Sequence, residues 1–187
     1  PQFMPYFKNS NRISRSEFAD RYNLPMGHKW ICFSGDDITT SPYDQIYLRH
    51  LGESVLKWNM VHDEKLHIVF RRCPTDFSIR YDDVLSDFDN IITEIRPAWN
   101  SLNKSGGWDK IVPDKEDNVL LVNTVLHCEC VINVGSTMAH DFSLYGKPCI
   151  YIKYNIDNKN LTWNVNRIYD NIHFQTMLDL EPVIWIE

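Results

Sequence analysis

Residues 130–152 limit the possible folds more than any other part of the chain. Cys130-Val131-Ile132 is a short apolar run that reads as a buried strand, and Cys149-Ile150-Tyr151-Ile152 reads as a second. Between them, Gly135 marks a tight turn, and Met138, Phe142 and Tyr145 recur at helical spacing. The spacing predicts a helix over 136–145, and Gly146-Lys147-Pro148 ends it and returns the chain to the second strand. Strand, turn, helix and strand in this order make a crossover unit, which sets the two strands parallel in one sheet.

The turn offers the main-chain N–H groups of Ser136, Thr137 and Met138 at the start of that helix, together with two hydroxyls. Such a terminus carries partial positive charge and favours a phosphate. Asp141 lies roughly 7 Å further along the axis at about 1.5 Å per residue, close to the span from a pyrophosphate to the hydroxyls of its ribose. A plain N-cap with a solvated Asp141 is the other reading of the same residues, and both stand at this point.

Gly135, the pair Ser136-Thr137, the acidic Asp141 and the Gly146-x-Pro148 return resemble the nucleotide-sugar signature of GT-B glycosyltransferases. The resemblance implies that Ser136 and Thr137 contact the diphosphate and that Asp141 binds the ribose, where the family usually carries Glu. It implies that the loop after the first strand, Ser34-Gly35, faces the diphosphate and the interdomain cleft. Main-chain groups near Val112-Pro113-Asp114 would bind the base. Such enzymes generally need neither metal nor cofactor, and their catalytic base and acceptor pocket usually come from the other half of the protein.

The remaining chain alternates strand and helix patterns. Ser14-Arg15-Ser16-Glu17 fits a capping box, and the short helix it opens should stop near Asn23-Leu24-Pro25. Trp30-Ile31-Cys32-Phe33 is the first strand. The turn after it, Ser34-Gly35-Asp36-Asp37, holds one glycine, so the dinucleotide fingerprint G-x-G-x-x-G is absent. Asp36 and Asp37 would repel a diphosphate if aimed at it, and they read as a solvated turn.

Ser41-Pro42 opens a helix with the proline at its first position, and Tyr43, Tyr47, Leu51, Val55 and Trp58 form its apolar face. Leu66-His67-Ile68-Val69-Phe70 is the second strand, and Arg71-Arg72 follows at its carboxyl end. This cationic pair suits either a diphosphate or a surface ion pair with Asp76 or Asp82. A short acidic helix spans 81–88 and a third strand 91–95; residues 99–109 read as loop, with Gly106-Gly107 between Trp99 and Trp108. Ile111-Val112-Pro113 is a short strand. The helix opened by Asp114 shows Leu120, Leu121, Val122, Val125 and Leu126 as its stripe and ends at His127. A loop over 153–162, a helix over 163–169 and an edge strand over 182–186 complete the chain.

Strands alternating with helices predict an α/β, Rossmann-like three-layer domain with a mostly parallel sheet of about six strands. Its expected extent is 29–187, with 1–28 a linker and short helix from a preceding domain. The chain starts at Pro1, and we expect a segment of a longer protein. A formal net charge of −6 gives no basic face for nucleic acid. No apolar run approaches the roughly 20 residues of a membrane span. Five cysteines, an odd number without zinc or disulfide spacing, suggest free thiols in a reducing, cytoplasmic setting. The expected role is donor binding in a glycosyltransferase, with a nucleotide-diphospho-sugar, UDP-linked by preference, as ligand and a glycan or other compound as acceptor. The expected protein partner is an N-terminal domain of the same full-length chain. A sugar-nucleotide epimerase and a non-catalytic interaction module of the same fold are the alternatives.

Overall fold

A computed structural model describes residues 3–101, 111–156, 162–176, 178–179 and 183–187. Six strands form one fully parallel sheet: β1 (His28–Ser34), β2 (Lys65–Arg71), β3 (Ile92–Ile95), β6 (Val131–Asn133), β7 (Cys149–Ile152) and β8 (Val183–Ile186), in the order β3-β2-β1-β6-β7-β8. Two further strands, β4 (Trp99–Ser101) and β5 (Ile111–Pro113), pair antiparallel as a separate ribbon. The helices are α1 (Arg15–Tyr22), α2 (Asp44–Val61), α3 (Asp82–Asp87), α4 (Lys115–His127), α5 (Met138–Ser143), α6 (Asn166–Tyr169) and α7 (Ile172–Gln175). The architecture is the predicted α/β Rossmann-like one, with β8 at the sheet edge.

The sheet runs outward in two directions from its centre. After β1 the chain adds β2 and β3 on one side, then returns to place β6, β7 and β8 on the other. β1 and β6 therefore flank the point where the strand order reverses, and ligands of open α/β sheets bind outside the carboxyl ends of strands there. The register levels those ends: Ser34 is opposite Arg71, and Phe33 is opposite Ile132. Trp30, Cys32 and Phe33 of β1, Ile68, Val69 and Phe70 of β2 and Val131 of β6 are fully buried, as befits strands covered on both faces.

Several local readings shift in the folded chain. Residues 99–101 form a strand where the sequence reads as loop, because Asp117 anchors this stretch by accepting Ala98 N–H (3.0 Å) and Trp99 Nε1–H (2.7 Å). Gly106, Gly107, Trp108 and Pro182 lie outside the described residues. α2 starts at Asp44, two residues past Pro42, since the Asp44 carboxylate turns back to accept the Ser41 hydroxyl and the Asp36 N–H. Its buried stripe is Tyr47, Leu48, Gly52 and Val55, while Trp58 is exposed and stacks on His62. Gly52 lets α2 lie against Phe88, whose ring a Cβ would meet at 3.0 Å.

The first turns of the chain are packed. Met4–Phe7 and Asn9–Asn11 are 3₁₀ turns, and Tyr6 is only 2% exposed. Asn123 of α4 holds this segment, accepting Ile13 N–H and donating to Asn11 O. Ser14 caps α1 by accepting Glu17 N–H, and Asn23 in the left-handed region (φ 54°) ends it. His127 is half-buried against Phe18 and Trp30, with Nε2 paired to Ile13 O. Gly146 (φ +63°) turns the chain after α5, and Lys147 donates to the main-chain carbonyls of Leu126 and Cys128. All five cysteines are free.

Candidate functional site

A cavity of about 450 Å³ opens at the carboxyl ends of β1, β2 and β6. This size falls within the range of small-molecule sites. Of the residues singled out in the sequence, Ser34, Gly35, Arg71, Gly135, Ser136, Thr137 and Asp141 all line it. Val112 and Pro113 do not: they sit in β5, where Val112 is 51% exposed, and the α4 residues that reach the cavity are Asp117 and Leu121.

The loop after β1 and the turn after β6 are tied together. Ser34 Oγ donates to Ser136 Oγ at 2.8 Å, and Gly135 N–H donates to Asp36 Oδ2 at 2.8 Å. A Cβ at Gly135 would stand 2.6 Å from Ile168 Cγ2, and one at Gly35 would stand 2.9 Å from the Tyr81 hydroxyl. Both glycines are thus required by close approach of neighbouring side chains. Asp36 is not the solvated turn residue that its position suggests, because Gly135 N–H draws its carboxyl into the wall.

The turn after β6 offers fewer main-chain donors than the sequence implies. Ser136 N–H is taken by Asn133 Oδ1 (2.9 Å) and Met138 N–H by Ser136 Oγ (3.2 Å). Thr137 N–H makes no hydrogen bond among the described residues, and Ser136 Oγ, which accepts twice, keeps its own proton to donate. The helix that follows spans only Met138–Ser143, so its axial dipole is short. What the turn contributes is one N–H and two hydroxyls.

Charge comes from β2. Arg71 Nη2 donates to both Asp117 oxygens, at 2.9 and 3.0 Å, and both side chains are buried. The ion-pair partner is therefore Asp117, not Asp76 or Asp82; Asp76 pairs with Arg80. Asp117 also accepts Ala98 N–H and Trp99 Nε1–H, so it holds a full set of donors and fixes the guanidinium. Arg71 Nη1 is buried and has no partner among the described residues. Arg72 repeats the arrangement: Nε faces Glu94, Nη1 donates to Ser78 O at 2.6 Å, and Nη2 is buried with no partner among the described residues. A buried donor left unmade is costly, and a cation more so, which is the expected state of a group that meets an anion.

Asp141 also lines the cavity, within reach of the charge of Arg71. Burial pushes its carboxyl up to about 6, against the opposing pull of the nearby Tyr6 hydroxyl and Arg71. The Tyr6 hydroxyl itself is buried and closes no well-formed hydrogen bond with it. Asp37 moves the other way: burial raises it, but donors from Thr39 and Thr40 outweigh that and hold it below the usual carboxylate range. Asp117 lines the cavity and Tyr6 lies behind Asp141, and the sequence marked neither; Trp99, which the sequence offers as a residue that closes over a ligand or simply packs, lines the cavity. Asp117 reads there as an ordinary first-turn acid, and nothing in its spacing points to Arg71. A second cavity of about 310 Å³ adjoins the first across Arg72, Cys73, Pro74 and Trp99.

No family model matches this sequence, and no curated protein matches it. Among solved structures the chain is similar to ADP-heptose LPS heptosyltransferase II of E. coli, at 9% identity and a TM-score of 0.54, over 94% of this chain and 44% of that one. It also aligns with the wall teichoic acid polymerase TagF (18% identity, TM-score 0.48, 92% and 32% of the two chains). A third is the UDP-GlcNAc 2-epimerase of Methanocaldococcus jannaschii (10% identity, TM-score 0.48, 92% and 39%). The chain spans less than half the length of each. At these identities the likeness is one of fold, carried by the heptosyltransferase alignment, and the fold is the one that the GT-B resemblance implies.

Proposed function

We propose that this chain binds a nucleotide-diphospho-sugar, UDP-linked by preference, and forms the donor half of a glycosyltransferase. The observation that carries the reading is that Arg71 and Arg72 both line a ligand-sized cavity at the sheet's switch point, each with one buried guanidinium nitrogen, Nη1 and Nη2 respectively, that has no partner among the described residues. A diphosphate supplies the missing acceptors. Ser136, Thr137 and Arg71 would hold it, and Asp141 would accept from the ribose. As the glycosidic bond breaks, negative charge grows on the leaving diphosphate, and donors already fixed in place stabilise it without reorganising. Arg71 is fixed in this sense by its two bonds to Asp117. The acceptor, the base that activates it and a cytoplasmic setting belong to the same proposal, with an N-terminal domain supplying what the chain lacks.

Calorimetric titration with UDP, CDP, GDP and ADP tests it. Selective binding of UDP is the expected result, and Asp141→Ala should weaken it by about 1–3 kcal/mol, the range for losing a charged hydrogen-bond partner. Should no diphosphate bind either to this chain or to the full-length protein, the proposal fails.

A further inference from the structure

The cavity carries more carboxylates than cations. Asp36, Asp37, Asp117 and Asp141 line it, against Arg71 and Arg72, and each arginine already faces a carboxylate, Asp117 or Glu94. With every group ionised, that wall would repel a diphosphate. The geometry around Asp36 resolves the conflict.

Asp36, half-buried on the cavity wall, and Asp44, buried behind it, form a carboxyl pair with unequal shares of donors. Asp44, fully buried on α2, receives the Ser41 hydroxyl on Oδ1 and the Asp36 N–H on Oδ2 at 2.6 Å, with the Tyr81 hydroxyl at 3.5 Å. Asp36 accepts one N–H, from Gly135 onto Oδ2; among the described residues Oδ1 accepts none. Asp37 faces Asp36 from its own loop, Asp44 from α2, and Arg80 from the segment before α3. The tyrosines Tyr81, Tyr151 and Tyr169 and the thiol of Cys73 feel its charge. Arg80 is the cation of this set, and it is shared with Asp76 and with the carbonyls of Ser41 and Asp36. Two carboxyls so placed do not both ionise readily, and the proton settles on the one with fewer donors.

We propose that the diphosphate binds with one proton held by the Asp36–Asp44 pair, so that Asp36 meets the ligand as an O–H donor instead of a second anion. This rests on the nucleotide-diphosphate reading above and adds a proton to its stoichiometry. Burial, followed by the charge of Asp44, pushes Asp36 well above the usual carboxylate range; burial likewise raises Asp44 to about 6. The same proton explains how an aspartate can stand at a position where the sequence alone suggests repulsion.

The test is calorimetric titration of UDP into the wild-type chain and Asp36→Asn between pH 6 and pH 9, in two buffers of different ionisation enthalpy. UDP's own terminal phosphate titrates equally for both proteins, so the difference between them isolates the pair. The wild type should lose at least ~10-fold more affinity than Asp36→Asn across this range and take up a proton on binding at its upper end. Equal pH slopes for the two proteins overturn the proposal. Thermal unfolding shows whether Asp36→Asn is folded. Carboxyl ¹³C shifts of the wild type, which need neither variant nor ligand, decide the pair independently: an Asp36–Asp44 pair fully ionised at pH 7 also overturns it. If UDP, CDP, GDP and ADP all fail to bind while the shifts show the proton in place, the function proposed above is at fault and the carboxyl pair stands.

Discussion

The two ends of the sheet use their cations differently. At the amino end, Arg15 donates to the main-chain carbonyls of His127 and His28, and Lys147 to those of Leu126 and Cys128. Arg15 also lies 3.5 Å over the Trp30 ring. These cations close off helix ends and strand starts. The imidazole of His67, at the same end, is pushed by burial down to about 4 and is neutral at physiological pH. At the carboxyl end, Arg71 and Arg72 are more deeply buried, and each keeps one nitrogen without a partner among the described residues beside a cavity. A cation spent on main-chain carbonyls serves the fold, whereas one fixed by a carboxylate beside a cavity, with a nitrogen still unpaired, serves a ligand.

The sharpest way to break this contrast is Arg71→Ala. It strips the charge partner from buried Asp117, so it should cost about 3–5 kcal/mol of stability and remove nucleotide binding together. Urea unfolding and calorimetry read the two effects, and loss of stability with affinity intact would put Arg71 among the structural cations. Gly135→Ala comes next. Its methyl group would press on Ile168 and on the Asp36 carboxyl, with an expected cost of about 1–3 kcal/mol and a marked loss of UDP affinity. Lys147→Ala sharpens the comparison from the other end. It leaves the carbonyls of Leu126 and Cys128 short of donors, for about 1–2 kcal/mol, and UDP affinity should not change.

Asp141→Asn should have the smallest effect, visible as a pH trend. The folded chain holds the Asp141 proton up to about 6, above the ordinary 3.8. The neutral form therefore supports folding fully below the ordinary value, and that support is lost as pH rises through about 6. The variant lacks this loss. Relative to the wild type, its urea midpoint should be higher at pH 7.5 than at pH 4, and parallel curves would argue that Asp141 is solvated.

What the sequence revealed was mostly local. The crossover over residues 130–152, the caps at Ser14 and Asp114 and the short strands follow from periodicity and turn chemistry, which act over a few residues. The same logic found Gly135, Ser136 and Asp141, since they lie within one turn and helix. It could not find Asp117 as the partner of Arg71, because 46 residues and three strands separate them. Nor could it see that Asp36 would be drawn in by Gly135, 99 residues away. The turn at Ser136 has fewer free N–H groups than its sequence suggests, for a related reason. Asn133 supplies a side-chain cap that a glycine-centred motif does not advertise.

The seam between β1 and β6 has a consequence for how the chain is made. Cys32 and Phe33 pair with Val131 and Ile132, so the middle of the sheet is also its last early strand to find a neighbour. At about 5–20 residues per second, a ribosome leaves that edge of β1 unpaired for on the order of 5–20 s after the strand itself is complete. During that interval Trp30, Cys32 and Phe33, fully buried in the finished sheet, border an open row of hydrogen-bonding groups. A translation product truncated before Val131 would keep that edge permanently. It should aggregate through β1, and holdase chaperones should engage the nascent chain between the emergence of β2 and that of β6.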